Sequence, residues 1–281
     1  MLAPAILSAL RGINRAMIMI QQTLRRLLLA VAVMPSPAMA ATIGGWTAEY
    51  TGYAHGFTVL KLAGSVVMTA TGYSAHVSFH TAGMVAMVVH ADNDTQVSGR
   101  FDGNRLFPAV FAGIGHLRGV ERVTRLDYAG GNPVVQTLSP PVDKERTAVP
   151  LADTPGTIDT LSAVLDLIRH VGSDGHCDGV LTTFDGRRLA TQTAHTVDEE
   201  TLERTDRSIF AGPALRCDFE GRQLAGFVRD ENEKDLRKPR HGTEWLADML
   251  PGEPPVPVRL VFENDLLGKV TLFLTSISAA K

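Results

Sequence analysis

Residues 159–172 read Asp159-Thr160-Leu161-Ser162-Ala163-Val164-Leu165-Asp166-Leu167-Ile168-Arg169-His170-Val171-Gly172. This stretch decides the fold, because nothing else after residue 40 carries a convincing helical apolar period. Leu161, Val164, Leu165 and Ile168 fall at i, i+3, i+4 and i+7, which puts them on one face of a helix. Asp159 is a good N-cap, Arg169 and His170 suit the negative end of the helix dipole, and Gly172 supplies a stop. The spacing predicts one helix over 159–171.

Around it the chain alternates. Before it, Trp46, Ala48, Tyr50 and Gly52 occupy alternate positions of a first strand, followed by extended runs at 57–63, 65–71 and 73–80. Residues 84–90 are almost continuously apolar and predict a strand buried on both faces. Asp92-Asn93-Asp94 is a turn cluster, and Phe101-Asp102-Gly103-Asn104-Arg105 sets an Asp-Gly pair between extended runs, a strong hairpin signal. Strands at 119–128 and 134–138 follow. Residues 139–157 carry Pro140, Pro141, Pro150 and Pro155 around Asp143-Lys144-Glu145-Arg146, and predict an irregular crossing segment.

Beyond the helix, 180–184 and 187–195 flank Asp185-Gly186 as a second hairpin. Runs at 209–212, 214–219 and 223–228 place a third tip at Phe219-Glu220-Gly221-Arg222. Residues 230–240 read as a solvated loop, and strands at 244–250, 256–263 and 268–276 end the chain. The expected fold is mainly β, a strongly curved antiparallel sheet of half-barrel or spiral form. About a dozen strands wrap around the single amphipathic helix, in one domain over 41–281.

The amino-terminal part is read separately. Arg25-Arg26 precedes the apolar run 27–34, Pro35-Ser36-Pro37 breaks it, and Ala38-Met39-Ala40 follows, the order of a secretory signal peptide cleaved after residue 40. The run is too short to span a bilayer, which takes roughly 20 apolar residues. Residues 1–18 lengthen this leader beyond the usual, so Met17 or Met19 is the expected start; a long n-region is the alternative. No later stretch is apolar enough to span a membrane. Removing the four arginines of residues 1–40 takes the 27 basic residues to 23 against 30 acidic ones, a net charge of −7. That excludes a basic nucleic-acid-binding face.

Cys177 and Cys217 are the only cysteines. In an exported chain an even pair reads as a disulfide, closing a loop of about 41 residues for about 4 kcal/mol of chain entropy. The alternatives, a metal site and a redox pair, lack a ligand spacing near Cys217 and a C-x-x-C motif. His76 and His80, four apart in a strand, stand about 13 Å from each other and do not chelate one metal. No G-x-S-x-G elbow is present, and Gly113-Ile114-Gly115 lacks the setting of a dinucleotide loop. Asp178 and Asp185 are candidate paired carboxylates of a hydrolase, although both precede Gly as turn residues do. Arg187, Arg188, Arg216 and Arg222 are a candidate anion cluster; solvated charges on a sheet face are the plainer reading. No catalytic residue, metal ligand or cofactor is assigned.

Taken in order, several segments resemble the bacterial envelope domain-of-unknown-function family 3108 over residues of about 48–276. They are Asp159–Ala163, Cys177-Asp178-Gly179, the turn motif Phe184-Asp185-Gly186-Arg187-Arg188, Gly212–Cys217, Ala225-Gly226-Phe227 and Pro257-Val258-Arg259. The resemblance implies a periplasmic protein without assigned catalytic residues. It also implies a looser similarity to envelope-integrity proteins and lipid or lipoprotein carriers built on a curved sheet. The expected function is a non-enzymatic, exported protein supporting the cell envelope. It binds a lipid, acyl chain or other apolar ligand in its concave face, with Leu161, Val164, Leu165 and Ile168 lining the groove. The alternatives are a scaffold with a packed interior that takes a periplasmic protein partner, and a hydrolase of envelope polymer.

Overall fold

A computed structural model describes residues 42–264 and 267–280; the leader expected at 1–40 lies outside the described residues. Thirteen strands form one antiparallel sheet nearly closed into a barrel. The first seven are β1 (Thr42–Ala54), β2 (Phe57–Thr69), β3 (Gly72–Thr81), β4 (Ala91–Asp102), β5 (Arg105–Leu117), β6 (Val120–Ala129) and β7 (Asn132–Ser139). The last six are β8 (Gly179–Phe184), β9 (Leu189–Leu202), β10 (Gly212–Ala225), β11 (Arg240–Ala247), β12 (Val256–Asn264) and β13 (Gly268–Ala279). Among the described residues there are also three α-helices, α1 (Val85–Val88), α2 (Thr160–Asp174) and α3 (Glu233–Leu236). Two meanders, β1–β7 and β8–β13, are joined where β1 pairs with β13, and the two free edges are β7 and β8.

Those edges are consecutive in sequence, and the Pro-rich segment and α2 run between them. The segment pairs with the chain after β10, through Thr147 N to the Phe227 carbonyl at 2.8 Å and Arg229 N to the Glu145 carbonyl at 3.1 Å. A two-pronged ion pair from Arg122 of β6 to Glu145, at 2.6 and 2.7 Å, fixes it to the sheet. At its far end Ile158 adds a parallel bridge to edge strand β8, receiving the Phe184 N–H at 2.8 Å. An exposed edge invites pairing with another chain, and this bridge covers part of it.

Helix α2 has its apolar face in the core, with Leu165 and Ile168 fully buried. Asp159 caps it through the Ser162 N–H at 2.8 Å and also accepts from the Ser162 hydroxyl at 2.7 Å; that hydroxyl meets Tyr73 Oη of β3 at 2.8 Å. Arg169 lies over the Phe101 ring at 4.2 Å and donates to the Gly103 carbonyl at the β4–β5 turn. The helix is thus fixed to β3, β4 and β5.

Several boundaries differ from the sequence reading. Gly172 lies inside α2, and the stop is Gly175 at φ 75°, a left-handed conformation that glycine adopts without steric cost. The predicted strand over 84–90 is instead a connection holding the single turn α1, and Met84, Met87 and Val88 are exposed. A continuous apolar run does not distinguish a doubly buried strand from a surface turn. The runs 57–63 and 65–71 merge into β2. The predicted third tip at Phe219–Arg222 lies within β10, where Gly221 pairs with Gln192 and Arg240, and residues 209–211 precede that strand. Val164 is 40% exposed, at the margin of the helix face, not in the core.

Candidate functional site

The sheet does not close tightly on α2. Between the helix and the inner faces of β1–β3 and β8–β13 lies a cavity of about 590 Å³, within the roughly 300–1,000 Å³ of small-molecule sites. Its wall is mainly aliphatic and aromatic. Strand β2 presents Leu62, Gly64 and Val66, the helix Leu161, Val164, Leu165 and Ile168, and β12 and β13 Leu260 and Leu272. Strand alternation explains the β2 set, since every second side chain points inward. Val164 and Val180 line the cavity and are also well exposed, so its mouth lies between α2 and β8.

Trp46, Tyr50 and Glu244 are buried polar residues of this wall, and the Trp46 Nε1 and Tyr50 Oη atoms themselves are covered by neighbouring atoms. Trp46 and Tyr50 are the inward residues of β1, and neither the indole N–H nor the phenol oxygen has a hydrogen bond among the described residues. Glu244 of β11, 8% exposed, has Cys217 and Leu260 as its cross-strand neighbours. Burial pushes its carboxyl up to about 7, with no hydrogen bond or cation opposing the shift. Burial raises the Tyr50 phenol above its ordinary range, and the Glu244 charge adds to this. The sequence reading missed Glu244; the available signal was an acid beside Trp245-Leu246 in a strand whose partners are apolar. Asp166, another wall residue, pairs with His170 at 3.5 Å.

The Cys177–Cys217 disulfide is formed, with the Cα atoms 6.3 Å apart. Cys177 follows α2 and borders the cavity, so the bond ties the end of the helix connection to β10 beside Glu244.

The turn motif turns out to be a clamp between the sheet's two edges. Phe184 is core. Asp185 accepts the backbone N–H groups of Arg187 and Arg188 at 2.9 and 2.7 Å and the Arg188 side chain at 2.8 Å. Burial raises the Asp185 carboxyl, but Arg188 and these N–H groups outweigh it and hold it below the usual carboxylate range. Gly186, at φ 87°, sits where a Cβ would approach Thr124 of β6 at 2.9 Å and Leu138 of β7 at 3.4 Å. Arg187 donates to the carbonyls of Pro140 and Ser139, at 3.0 and 2.6 Å, at the end of the opposite edge strand β7.

The candidate chemistry therefore disperses. Asp178 and Asp185 stand at opposite ends of β8, about 23 Å apart at strand rise, too far for a carboxylate pair acting on one bond. The four arginines form no anion cluster, since Arg187 and Arg188 serve the clamp, Arg216 pairs with Asp218, and Arg222 with Glu220. His76 meets Asp94 at 2.6 Å. A second, polar depression of about 430 Å³ is bordered by His195, Asp218, Glu220, His241 and Lys269. No group of three or more His, Cys, Asp or Glu among the described residues has metal-binding geometry. Nor is any described helix long and apolar enough to cross a membrane.

Among solved structures, the chain is similar to a β-barrel-like protein of domain of unknown function DUF1849 from Brucella abortus. The TM-score is 0.52 at 14% identity, over 85% of this chain and 99% of that one. At that identity the likeness concerns the fold alone. No curated protein matches the chain. The profile of the family described as protein of unknown function, DUF3108, matches residues 46–275, and the chain belongs to that family.

Proposed function

We propose that this chain is a non-enzymatic, exported protein of the bacterial periplasm. It holds a lipid, an acyl chain or a similar apolar ligand inside its curved sheet, in support of the cell envelope. The observation that carries this reading is the cavity of about 590 Å³ between α2 and the sheet, apolar over most of its wall and open between Val164 and Val180. A fold built only to present an outer surface gains by filling such space, because each void forfeits packing energy. Export is supported by the leader-like order of residues 25–40 and is compatible with the disulfide. The test is mass spectrometry of solvent extracts from protein purified out of its own periplasm. A stoichiometric lipid, absent from a control protein, is the expected result. A clean extract, together with no binding of a fluorescent fatty acid, overturns the reading. A second reading, a periplasmic protein partner, is favoured by the exposed Met84, Met87 and Val88 around α1. Crosslinking that captures one partner through α1, and that is lost in Met87→Ser/Val88→Ser, is its expected sign.

A further inference from the structure

The charge on the cavity wall is one-sided. Its acids are Asp166, Asp178 and Glu244, its one basic side chain is His170, and no Lys or Arg lines it. Two of the acids have partners. Asp166 pairs with His170 at 3.5 Å. The half-exposed Asp178 accepts the Thr196 N–H at 3.2 Å and lies 3.6 and 3.8 Å from His176 and His195. Thr160, Gln192 and Thr193 complete the polar wall and carry no charge, so they favour neither sign of ligand. Glu244 differs. It is more than nine-tenths buried, and no hydrogen bond or cation among the described residues answers it. It stands in the cross-strand row Cys217–Glu244–Leu260–Leu272, whose members share one face of the sheet, and Leu260 and Leu272 line the cavity. Neighbouring atoms seal Trp46 Nε1 and Tyr50 Oη, but they do not seal the Glu244 oxygens. The Trp46 and Tyr50 side chains therefore offer the cavity ring carbon alone, and Phe219 adds a third ring. A carboxylate without a counter-ion, in an apolar hollow shared with aromatic rings, is a combination that attracts a cation.

We propose that the cavity binds a hydrophobic cation, an amine or quaternary ammonium carried on an apolar chain, with Glu244 as its counter-ion and the rings of Trp46, Tyr50 and Phe219 in the surrounding wall. The inference rests on the apolar-ligand reading above and adds the charge of the ligand.

The alternatives fit less well. A sulfate or carboxylate head meets no Lys or Arg in this wall and adds a like charge to its three acids. An uncharged head leaves Glu244 without a counter-ion. A cation turns the buried carboxylate from a lone charge into half of a pair, and removing water from both strengthens their attraction. Tyr50, whose phenol feels the Glu244 charge, places one of the rings close to that pair. Asp178, two residues from Val180 at the mouth, adds a negative charge at the entrance.

The test holds the chain constant and varies the head. Displacement of the uncharged reporter N-phenyl-1-naphthylamine from the purified protein is measured at pH 8, where Glu244 is mostly ionised. The competitors are dodecyltrimethylammonium, dodecanol and dodecyl sulfate, all below micelle-forming concentrations. The ammonium is expected to displace at about tenfold lower concentration than dodecanol, the scale of one desolvated cation–aromatic contact, and the sulfate only at higher concentration than dodecanol. Glu244→Gln is expected to bring the ammonium and dodecanol together. Asp178→Asn, which removes an equal charge from the exposed mouth, is expected to keep most of the difference. Dodecylphosphocholine separates two sources of such a cation. Displacement at the ammonium's concentration assigns the site to a zwitterionic lipid head, and displacement at dodecanol's concentration or above assigns it to a free amphiphilic amine. Equal displacement by the ammonium and dodecanol in the wild type, preference for the sulfate, or an undiminished ammonium preference in folded Glu244→Gln overturns the cation site and leaves the apolar cavity reading standing. Should Glu244→Gln not fold, the wild-type order of the three heads decides alone. Failure of the wild type to bind the reporter overturns the cavity reading, and the cation site with it.

Discussion

Glu244 and Asp185 show how differently two acids in one small barrel behave. Asp185 sits among donors and is held ionised, whereas Glu244 faces an apolar hollow with none. An acid whose folded pKa lies above its unfolded value binds its proton more tightly when folded, so its contribution to stability falls as pH rises between the two values. For Glu244 that window runs from about 4.5 to about 7. Tyr50, the titratable neighbour whose phenol feels the Glu244 charge, stays neutral throughout the window. Glu244→Leu is expected to flatten the decline and to stabilise the protein at pH 8 by up to about 3 kcal/mol, read from urea midpoints at pH 5 and pH 8. A residual slope of the same sign remains, because burial also raises the carboxyls of Asp159 and Asp166. An unchanged slope in Glu244→Leu contradicts the assignment. The clamp predicts the opposite kind of result. Asp185→Ala removes the acceptor of two backbone N–H groups and the Arg188 side chain, and should cost about 2 kcal/mol without changing binding of an apolar reporter. A selective loss of binding would move Asp185 back among functional residues. Residue types were legible in the sequence at both positions, but their roles were not, since an acid before Gly and an acid before Trp look equally like surface residues.

Helix α2 and the disulfide are the elements the chain specifies most strongly. The helix was legible because its cap, apolar period and glycine stop are local, and local rules survive without tertiary context. Its end was misread by three residues because two glycines compete, and only the left-handed backbone at Gly175 separates them. Asp159→Ala is expected to cost about 2 kcal/mol in thermal or urea unfolding. It removes the cap and also the acceptor of the Ser162 hydroxyl that meets Tyr73. The cysteine pairing was also legible, from an even count of two and the export expected of the leader-like residues. Cys217→Ser should lower stability by about 4 kcal/mol on the chain-entropy account and expose the loop of residues 178–216 to protease; identical melting of oxidised wild type and variant would refute the structural role. Residues 84–90 show the limit. Their apolar run is as strand-like as many real strands, and only the pairing of β3 directly with β4 excludes it from the sheet.

Across the whole molecule, closure and hollow go together. The crossing segment, the Ile158 bridge and the Arg187 clamp draw β7 and β8 toward one another, and the curvature this imposes leaves space between α2 and the facing strands. Gly64 offers a way to fill that space from the sheet. A Cβ there would stand 3.8 Å from Val77 Cγ2 and 3.9 Å from the Trp46 ring, which is ordinary contact, and its backbone is extended. Gly64→Val should therefore fold with unchanged or slightly higher melting temperature, since valine suits a strand better than glycine. It should also weaken binding of an apolar reporter by about tenfold or more. Unaltered binding would place the ligand elsewhere. Local and countable features carried the class of this protein: strands by alternation, hairpin turns by Asp-Gly at residues 102–103 and 185–186, one helix by its period, and a disulfide by the cysteine count, because each depends on neighbours in the chain or on simple number. The cavity beside the helix, the burial of Glu244 against it and the role of the Phe184–Arg188 motif as a clamp became visible only in the folded chain, because each depends on side chains brought together from strands far apart in sequence by the curvature of the nearly closed sheet.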